Sequence, residues 1–199
     1  MTENIDAEYI VFALAKFSHS GLSFIENSAI LIGKDRRGGL RRWINQIYIS
    51  KKRTGNEYFI KRYPFASRFG YADFLVHVNG CDLFESKLFI FGVRYFSTKA
   101  DELYLPWDIF DHNDERFETI CSLGSILIGG SHLTSGGISY VENRDGSVVA
   151  FDGEDFSTPI YRWENFGVFI KREIIRLNKI TNDSGELIDR AKSLNYSMT

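Results

Sequence analysis

The stretch GISYVENRDGSVVAF, residues 137–151, decides the fold class of this chain. Two runs rich in β-forming residues, 137–141 and 147–151, flank the segment Asn143-Arg144-Asp145-Gly146. Because glycine accepts the positive φ angles of a tight turn, Asp-Gly between two such runs predicts a β-hairpin. The strands of a hairpin are antiparallel, so the sequence predicts an antiparallel sheet here.

Further strands are predicted outward from this hairpin by short runs of β-branched and aromatic residues, at 87–96 and 119–128. A second hairpin is predicted nearer the N-terminus. Its strands would cover 43–49 and 58–60, with Gly55-Asn56 between them.

Helices are predicted where apolar residues recur at steps of three and four. The first would begin at a cap formed by Asn4 or Asp6 and run to about Phe17. Apolar residues surround most of its surface, so we expect it to be buried. The second would cover 65–78 and end at Asn79-Gly80, since glycine stops helices in a left-handed conformation.

The third helix is predicted at 162–178, and residues 180–199 predict a short, weakly amphipathic helix whose end frays. Helices on both sides of a block of consecutive strands are typical of an α+β fold. A parallel sheet would need regular alternation of strands and helices.

Composition indicates one ordinary globular domain over residues 1–199. The chain is 44% hydrophobic and 15% aromatic, which excludes a wholly disordered protein. No apolar run reaches the roughly 20 residues that span a bilayer, and acidic residues precede the first apolar run where a secretory signal needs basic ones. We therefore expect a cytoplasmic protein without a membrane partner, in which Cys81 and Cys121 are buried free thiols.

The charge is nearly balanced overall but unevenly distributed. The formal net charge is -2, yet residues 34–68 contain eleven basic and two acidic side chains, and residues 101–164 contain three basic and thirteen acidic ones. The acidic segment could steer a basic partner. Equally, the two segments could neutralise each other in the folded protein or simply be solvated. The basic stretch 34–68, interleaved with aromatics, leaves nucleic-acid binding as a less favoured hypothesis.

Enzyme motifs are weak throughout the sequence. His19, His77, His112 and His132 lack the spacing of a metal-binding helix, and Cys121 with His132 defines no catalytic geometry. The glycine-rich stretch 123–131 lacks the lysine of a phosphate-binding loop, so its glycines are predicted to let strands bend or turn closely. Carboxylates at 152–155 do not recur as in a calcium loop, which favours a solvated turn. We predict no catalytic residue, metal or cofactor.

A combination of short motifs resembles the SUKH superfamily, which includes fungal cell-wall-synthesis regulators and many bacterial immunity proteins. The motifs follow the family's order and cover 65–178: Tyr71-x-x-Phe74-Leu75 with Asn79-Gly80, Leu105-Pro106-Trp107-Asp108-Ile109 with Asn113, the hairpin around Asp145-Gly146, and Trp163-x-x-Phe166-x-x-Phe169-Ile170. Residues 1–64 form a divergent, basic N-terminal part, and 180–199 form a polar C-terminal extension.

The resemblance implies a curved, mainly antiparallel sheet flanked by helices, and it implies no catalysis. It further implies a protein that binds and neutralises a cognate bacterial toxin, in many family members a nuclease of a polymorphic or contact-dependent toxin system. A regulatory or scaffold module, like the fungal members, is the alternative.

An acidic surface rimmed by aromatics could occupy the cationic cleft with which a nuclease holds its substrate. The candidate partner-binding residues are therefore the carboxylates of the acidic segment and two aromatics beside them: Asp101, Glu102, Tyr104, Trp107, Asp108, Asp111, Asp114, Glu115, Asp152, Glu154 and Asp155.

Overall fold

A computed structural model describes most of the chain. The described residues are 5–26, 28–34, 43–50, 54–94, 105–114, 120, 124–153, 155–188 and 196. Within them, no helix combines the length and apolar character that crossing a bilayer requires.

The core of the fold is a sheet of nine strands in the described residues. Every strand is antiparallel to its neighbours, and their spatial order is their order in the chain. The sheet is open and curved. The strands are β1 (Leu22–Ile25), β2 (Ala29–Lys34), β3 (Trp43–Ile49), β4 (Val78–Leu83), β5 (Leu88–Ile90), β6 (Ile126–Ser131), β7 (Ile138–Glu142), β8 (Val148–Asp152) and β9 (Pro159–Trp163).

In the described residues, helices interrupt this meander at two places, between β3 and β4 and between β5 and β6, and they flank it at both ends. The α-helices are α1 (Ala7–Ala13), α2 (Thr54–Arg62), α3 (Gly70–His77), α4 (Ile109–Asp114) and α5 (Phe166–Ile180), and 3₁₀ helices follow α1 at Ala15–Ser20 and α2 at Pro64–Arg68. The predicted α+β class with a mainly antiparallel sheet is confirmed.

One face of the sheet carries the main core. The ring centroids of Tyr140 of β7 and Phe169 of α5 are 4.8 Å apart, and those of Phe166 of α5 and Phe74 of α3 are 5.1 Å apart. Helices α3 and α5 therefore cover the same face as Tyr140. We call it the helix face and the opposite one the groove face.

The predicted hairpin at 137–151 is confirmed as β7 and β8. Asp145 closes the turn by accepting the amide of Ser147 at 3.0 Å, and Gly146 has a positive φ of 83°. The third predicted helix exists but begins at Phe166, because Asn165 caps it by accepting the amide of Val168. Residues 162–163 belong instead to β9, which the sequence did not predict, as it did not predict β1 and β2.

The second predicted hairpin is wrong, because residues 58–60 lie in α2. Strand β3 is as predicted, but it pairs with β2 and β4. The short apolar run 58–60 fits a strand or a helix equally well. Its Phe59 packs against Tyr63 and Tyr71, which helical spacing allows.

Asn79-Gly80 was predicted to stop the second helix, yet both residues lie inside β4. The Asn79 amide donates to the carbonyl of Val93 at 2.9 Å, and its oxygen accepts the Val93 amide at 2.7 Å. A Cβ on Gly80 would lie 2.7 Å from the carbonyl oxygen of Ile90. This glycine lets two backbones approach closely, and the helix ends earlier, at His77.

Other predicted elements differ from the observed ones in position, length or burial. Strand β5 is shorter than the predicted 87–96, and β6 begins at Ile126, so it shares only 126–128 with the predicted 119–128. Asp6 caps α1 as predicted, but the expected burial of that helix is wrong at Phe12, which is 82% exposed. Beyond Ile180 the described residues form a bridge between Thr181 and Leu187, and the predicted frayed end lies outside them.

Candidate functional site

A groove of about 270 Å³ opens on the groove face, over strands β5, β6 and β7. Phe89, Gly130 and Ser139 are paired across these strands, so they share one face, whereas Tyr140 points to the other. One wall comes from Trp107 and His112, and the other from His132 with the loop 133–137.

Stacked rings build the first wall. The ring of Phe91 lies 4.4 Å from that of His112 and nearly parallel to it, and Trp107 stacks on Phe89 at 5.4 Å. His132 approaches Phe89 from the other wall at 5.0 Å. Trp107 remains 38% exposed, so an aromatic surface between two imidazoles is open to solvent.

Backbone contacts hold Trp107 at this position. Gly92 donates its amide to the carbonyl of Trp107 at 2.9 Å and accepts the amide of Ile109 at 2.9 Å. A Cβ on Gly92 would meet the carbonyl oxygen of Asn79 at 2.2 Å and the ring of Pro106 at 2.6 Å. Only glycine therefore fits between β4 and the segment that carries Trp107.

Helix α4 is fixed to the sheet by one buried amide. Asn113 accepts the amide of Leu127 at 2.9 Å and donates to the carbonyl of Leu127 at 2.8 Å. A paired side-chain amide of this kind acts as an extra strand partner for β6. These two hydrogen bonds fix the position of His112 relative to the groove.

Glycines form the floor of the groove. A Cβ on Gly129 would lie 2.2 Å from the carbonyl oxygen of Phe89, and one on Gly130 would lie 2.6 Å from that of Ile138. The register of β6 against β7 shifts between Leu127 and Gly129, as at a β-bulge. The prediction that these glycines let strands bend or turn closely is confirmed at this bulge.

Asp82 lies beside the second wall, on β4. It accepts the hydroxyl of Ser86 at 2.8 Å, and the amide of His132 donates to the carbonyl of Ser86 at 3.0 Å. Burial raises the pKa of Asp82, while the bond from Ser86 and the nearby His132 and Lys87 act in the opposite direction. This carboxyl group is an acidic, mostly buried neighbour of the groove that the sequence did not indicate.

Two of the predicted carboxylates are engaged within the protein. Asp108 accepts the amide of Phe110 at 2.9 Å at the start of α4, and burial raises its pKa. Asp114 pairs with Arg62 at 3.0 Å and accepts the hydroxyl of Tyr63 at 3.1 Å. At this point the basic and acidic segments neutralise each other, as one of the two hypotheses expected.

The other three candidate carboxylates in the described residues are exposed. Asp111 faces solvent on α4, and Asp152 and Asp155 flank Gly153, which lines the far end of the groove. Asp155 accepts the amide of Ser157, and hydrogen bonds from Ser157 lower its pKa. The groove thus has described carboxylates near both ends. Asp101, Glu102, Tyr104, Glu115 and Glu154 lie outside the described residues.

The sequence indicated Trp107 but not the residues that surround it. His112 and His132 are twenty residues apart and reach one groove only because α4 and β6 are joined through Asn113. The alternation of Phe89 and Phe91 was a local signal for one aromatic face. Among the described residues, no group of three or more His, Cys, Asp or Glu side chains could hold a metal ion.

A second cavity, of about 190 Å³, lies at the start of α3 on the helix face. Its buried acid, Glu142, accepts the amides of Gly70 at 2.8 Å and Tyr71 at 3.1 Å. Burial raises the pKa of Glu142 to about 8. Because the carboxyl group is already bonded to the helix N-terminus, this cavity is better explained by helix positioning than by binding.

The remaining described thiol, Cys81, is buried in β4 and free, as predicted for it, and burial raises its pKa. Cys121 lies outside the described residues.

A scan against protein-family models found no match to this chain, and neither did searches of curated proteins and of solved structures.

Proposed function

We propose that this chain is a non-enzymatic immunity protein that binds and neutralises a cognate bacterial toxin, with a nuclease as the favoured toxin class. The observation that carries the proposal is the groove around Trp107, an open aromatic surface with exposed carboxylates near both ends. Large, rigid aromatic side chains anchor protein interfaces at little cost in conformational entropy.

The electrostatics of the groove support a basic partner. Asp111, Asp152 and Asp155 are exposed, so their charges act on an approaching protein before contact. Such fields accelerate association and suppress partners of like charge. A nuclease holds its substrate's phosphates with cationic residues, so the acidic ends of this groove complement its cleft.

The resemblance to the SUKH superfamily supports the same role, since many of its bacterial members are immunity proteins. Trp107 and Asp108 belong to the motif that carries the resemblance, and the structure brings that motif to the groove wall.

Co-purification tests the proposal directly. The tagged full chain is co-expressed with an inactive form of the toxin encoded by the neighbouring gene, and cell survival is measured with the active form. We expect a stable complex and protection of the cells. A toxic neighbour that neither binds the chain nor loses its toxicity would contradict the proposal.

Matched variants locate the interface. Trp107→Ala and Asp111→Lys are expected to weaken the complex, whereas Phe12→Ala and Glu164→Lys remove an exposed aromatic and reverse an exposed acid elsewhere and should leave it unchanged. Thermal unfolding of each variant shows that it is folded. Equal affinity in all four would place the interface away from the groove.

A further inference from the structure

The two edges of the sheet differ in how they are protected. Unpaired strand edges attract other strands, and proteins block them with proline, charge, bulges or covering segments. Strand β9 begins with Pro159, carries Arg162 paired with Asp145, and shifts register against β8 between Ala150 and Phe151. The buried ring of Tyr196 also stacks on Tyr161 of this strand.

Within the part of the chain that the structure describes, strand β1 has none of these four devices. Its residues, Leu22, Ser23, Phe24 and Ile25, include no proline and no charge, and its register against β2 is regular. Leu22 is 46% exposed and Phe24 is 68% exposed. Both are paired with residues of the main core, Ile32 and Ile30, so they lie on the helix face where the helices no longer cover it.

The outer backbone of β1 can be assigned from one hydrogen bond. The amide of Gly33 donates to the carbonyl of Gly21 at 2.9 Å. Bonded and non-bonded pairs alternate along an antiparallel ladder, so Leu22 and Phe24 turn their N–H and C=O groups away from β2. These groups form a template for another strand.

The charges at the two ends of β1 are opposite. Glu26 follows the strand and is exposed, whereas the exposed Lys34 lies at the other end, with its Cβ 3.5 Å from the position a Gly21 side chain would take. An antiparallel copy of the same strand would bring each Glu26 toward the Lys34 end of its neighbour. A parallel copy would bring like charges together.

We propose that β1 pairs antiparallel with β1 of a second copy of this chain, which joins the two sheets across a two-fold axis. Phe24 then faces Phe24 of the other copy, and Leu22 of each copy faces Glu26 of the other. A pair of four-residue strands buries less area than a permanent interface needs, so dimers form in a concentration-dependent equilibrium.

Sedimentation velocity of the full chain over a wide concentration series tests this proposal. We expect the wild type to shift from monomer to dimer as its concentration rises. Phe24→Lys places like charges opposite each other and is expected to raise the dissociation constant at least about tenfold. Ile160→Lys, the matched change on β9, should dimerise like the wild type.

Charge exchange tests the antiparallel direction. Glu26→Lys and Lys34→Glu should each weaken the dimer, and the double variant should restore it, because it re-forms both pairs in reverse. A wild type that stays monomeric, an assembly larger than a dimer, equal weakening by Ile160→Lys, or failure of the double variant to restore dimers would each overturn the proposal.

Discussion

Acidic side chains under the helices and near the ends of the groove differ in their surroundings. On the helix face, Glu142 and Glu173 are buried and bonded, the first to backbone amides of α3 and the second to Arg176. Near the ends of the groove, Asp111, Asp152 and Asp155 stand at the surface. The buried acids fix helices, whereas the exposed acids are accessible to an approaching protein.

This difference predicts that stability and binding can be changed separately. A carboxylate that is buried away from water needs its hydrogen-bond or ion-pair partners, because an unpaired buried charge costs several kcal/mol of stability. An exposed carboxylate contributes little to stability but acts at a distance on a charged partner. Substitutions on the helix face should therefore act on unfolding, and those on the groove face on association.

The largest effect is expected at the buried ion pair. Glu173 accepts from Arg176 at 3.0 and 2.6 Å and from the hydroxyl of Tyr140 at 3.3 Å. Arg176→Met leaves this acid without its cation and should lower the free energy of unfolding by about 4 kcal/mol, as measured by urea titration. Arg172→Met, an exposed cation of the same helix, is the control. A loss equal to that of the control would show that the pair does not hold α5.

Two tryptophans give the next comparison. Trp163 is 2% exposed on the helix face and contacts Tyr140, Phe169 and Tyr196, whereas Trp107 lines the groove. Trp163→Ala should destabilise the protein by about 3 kcal/mol and Trp107→Ala by about 1 kcal/mol. Urea unfolding measures both. Equal losses would mean that Trp107 is a core residue and not an available anchor.

The sequence predicted the parts of this fold that depend on local signals. Asp145-Gly146 specifies its turn without help from the rest of the chain, and the apolar stripe of α5 is long enough to be unambiguous. Strands β1 and β9 are short and partly exposed, so they lack such a signal. Asn79-Gly80 has the local pattern of a helix end, but the contacts of Asn79 with Val93 place it in a strand.

The candidate site follows the same rule. Trp107 was predicted because a tryptophan beside carboxylates is visible in the sequence. The two histidines of the groove were not, since their approach depends on the close passage at Gly92 and on the bonds between Asn113 and Leu127. Such contacts between distant segments leave no spacing that a single sequence reveals.

The pH dependence of stability sharpens the comparison at Glu142. Its pKa is raised to about 8 in the folded protein, so between its ordinary value and pH 8 the folded state holds a proton that the unfolded state has released. Stability from this group is complete at acidic pH and is lost as the pH rises. Wild type should lose roughly 2 kcal/mol more than Glu142→Gln between about pH 6 and pH 8.

Urea unfolding at a series of pH values measures this difference. Comparison with Glu142→Gln removes the contribution of every other titrating group, provided that the variant keeps its bonds to Gly70 and Tyr71. If the free energies of unfolding of the two proteins changed in parallel with pH, the Glu142 carboxyl group would be ionised in the folded state. The bonds from the N-terminus of α3 would then stabilise the ionised form more than burial destabilises it.

The smallest effect is expected at the exposed ion pair between Arg62 of α2 and Asp114 of α4. Both side chains are largely exposed, so Arg62→Gln should leave the unfolding midpoint unchanged. The same change frees a carboxylate beside the groove. If the acidic segment steers a basic toxin, the association rate constant should rise by up to about threefold at low salt. Stopped-flow mixing measures it, with the exposed Arg172→Gln as control. A slower association would instead indicate that the basic stretch itself contacts the partner.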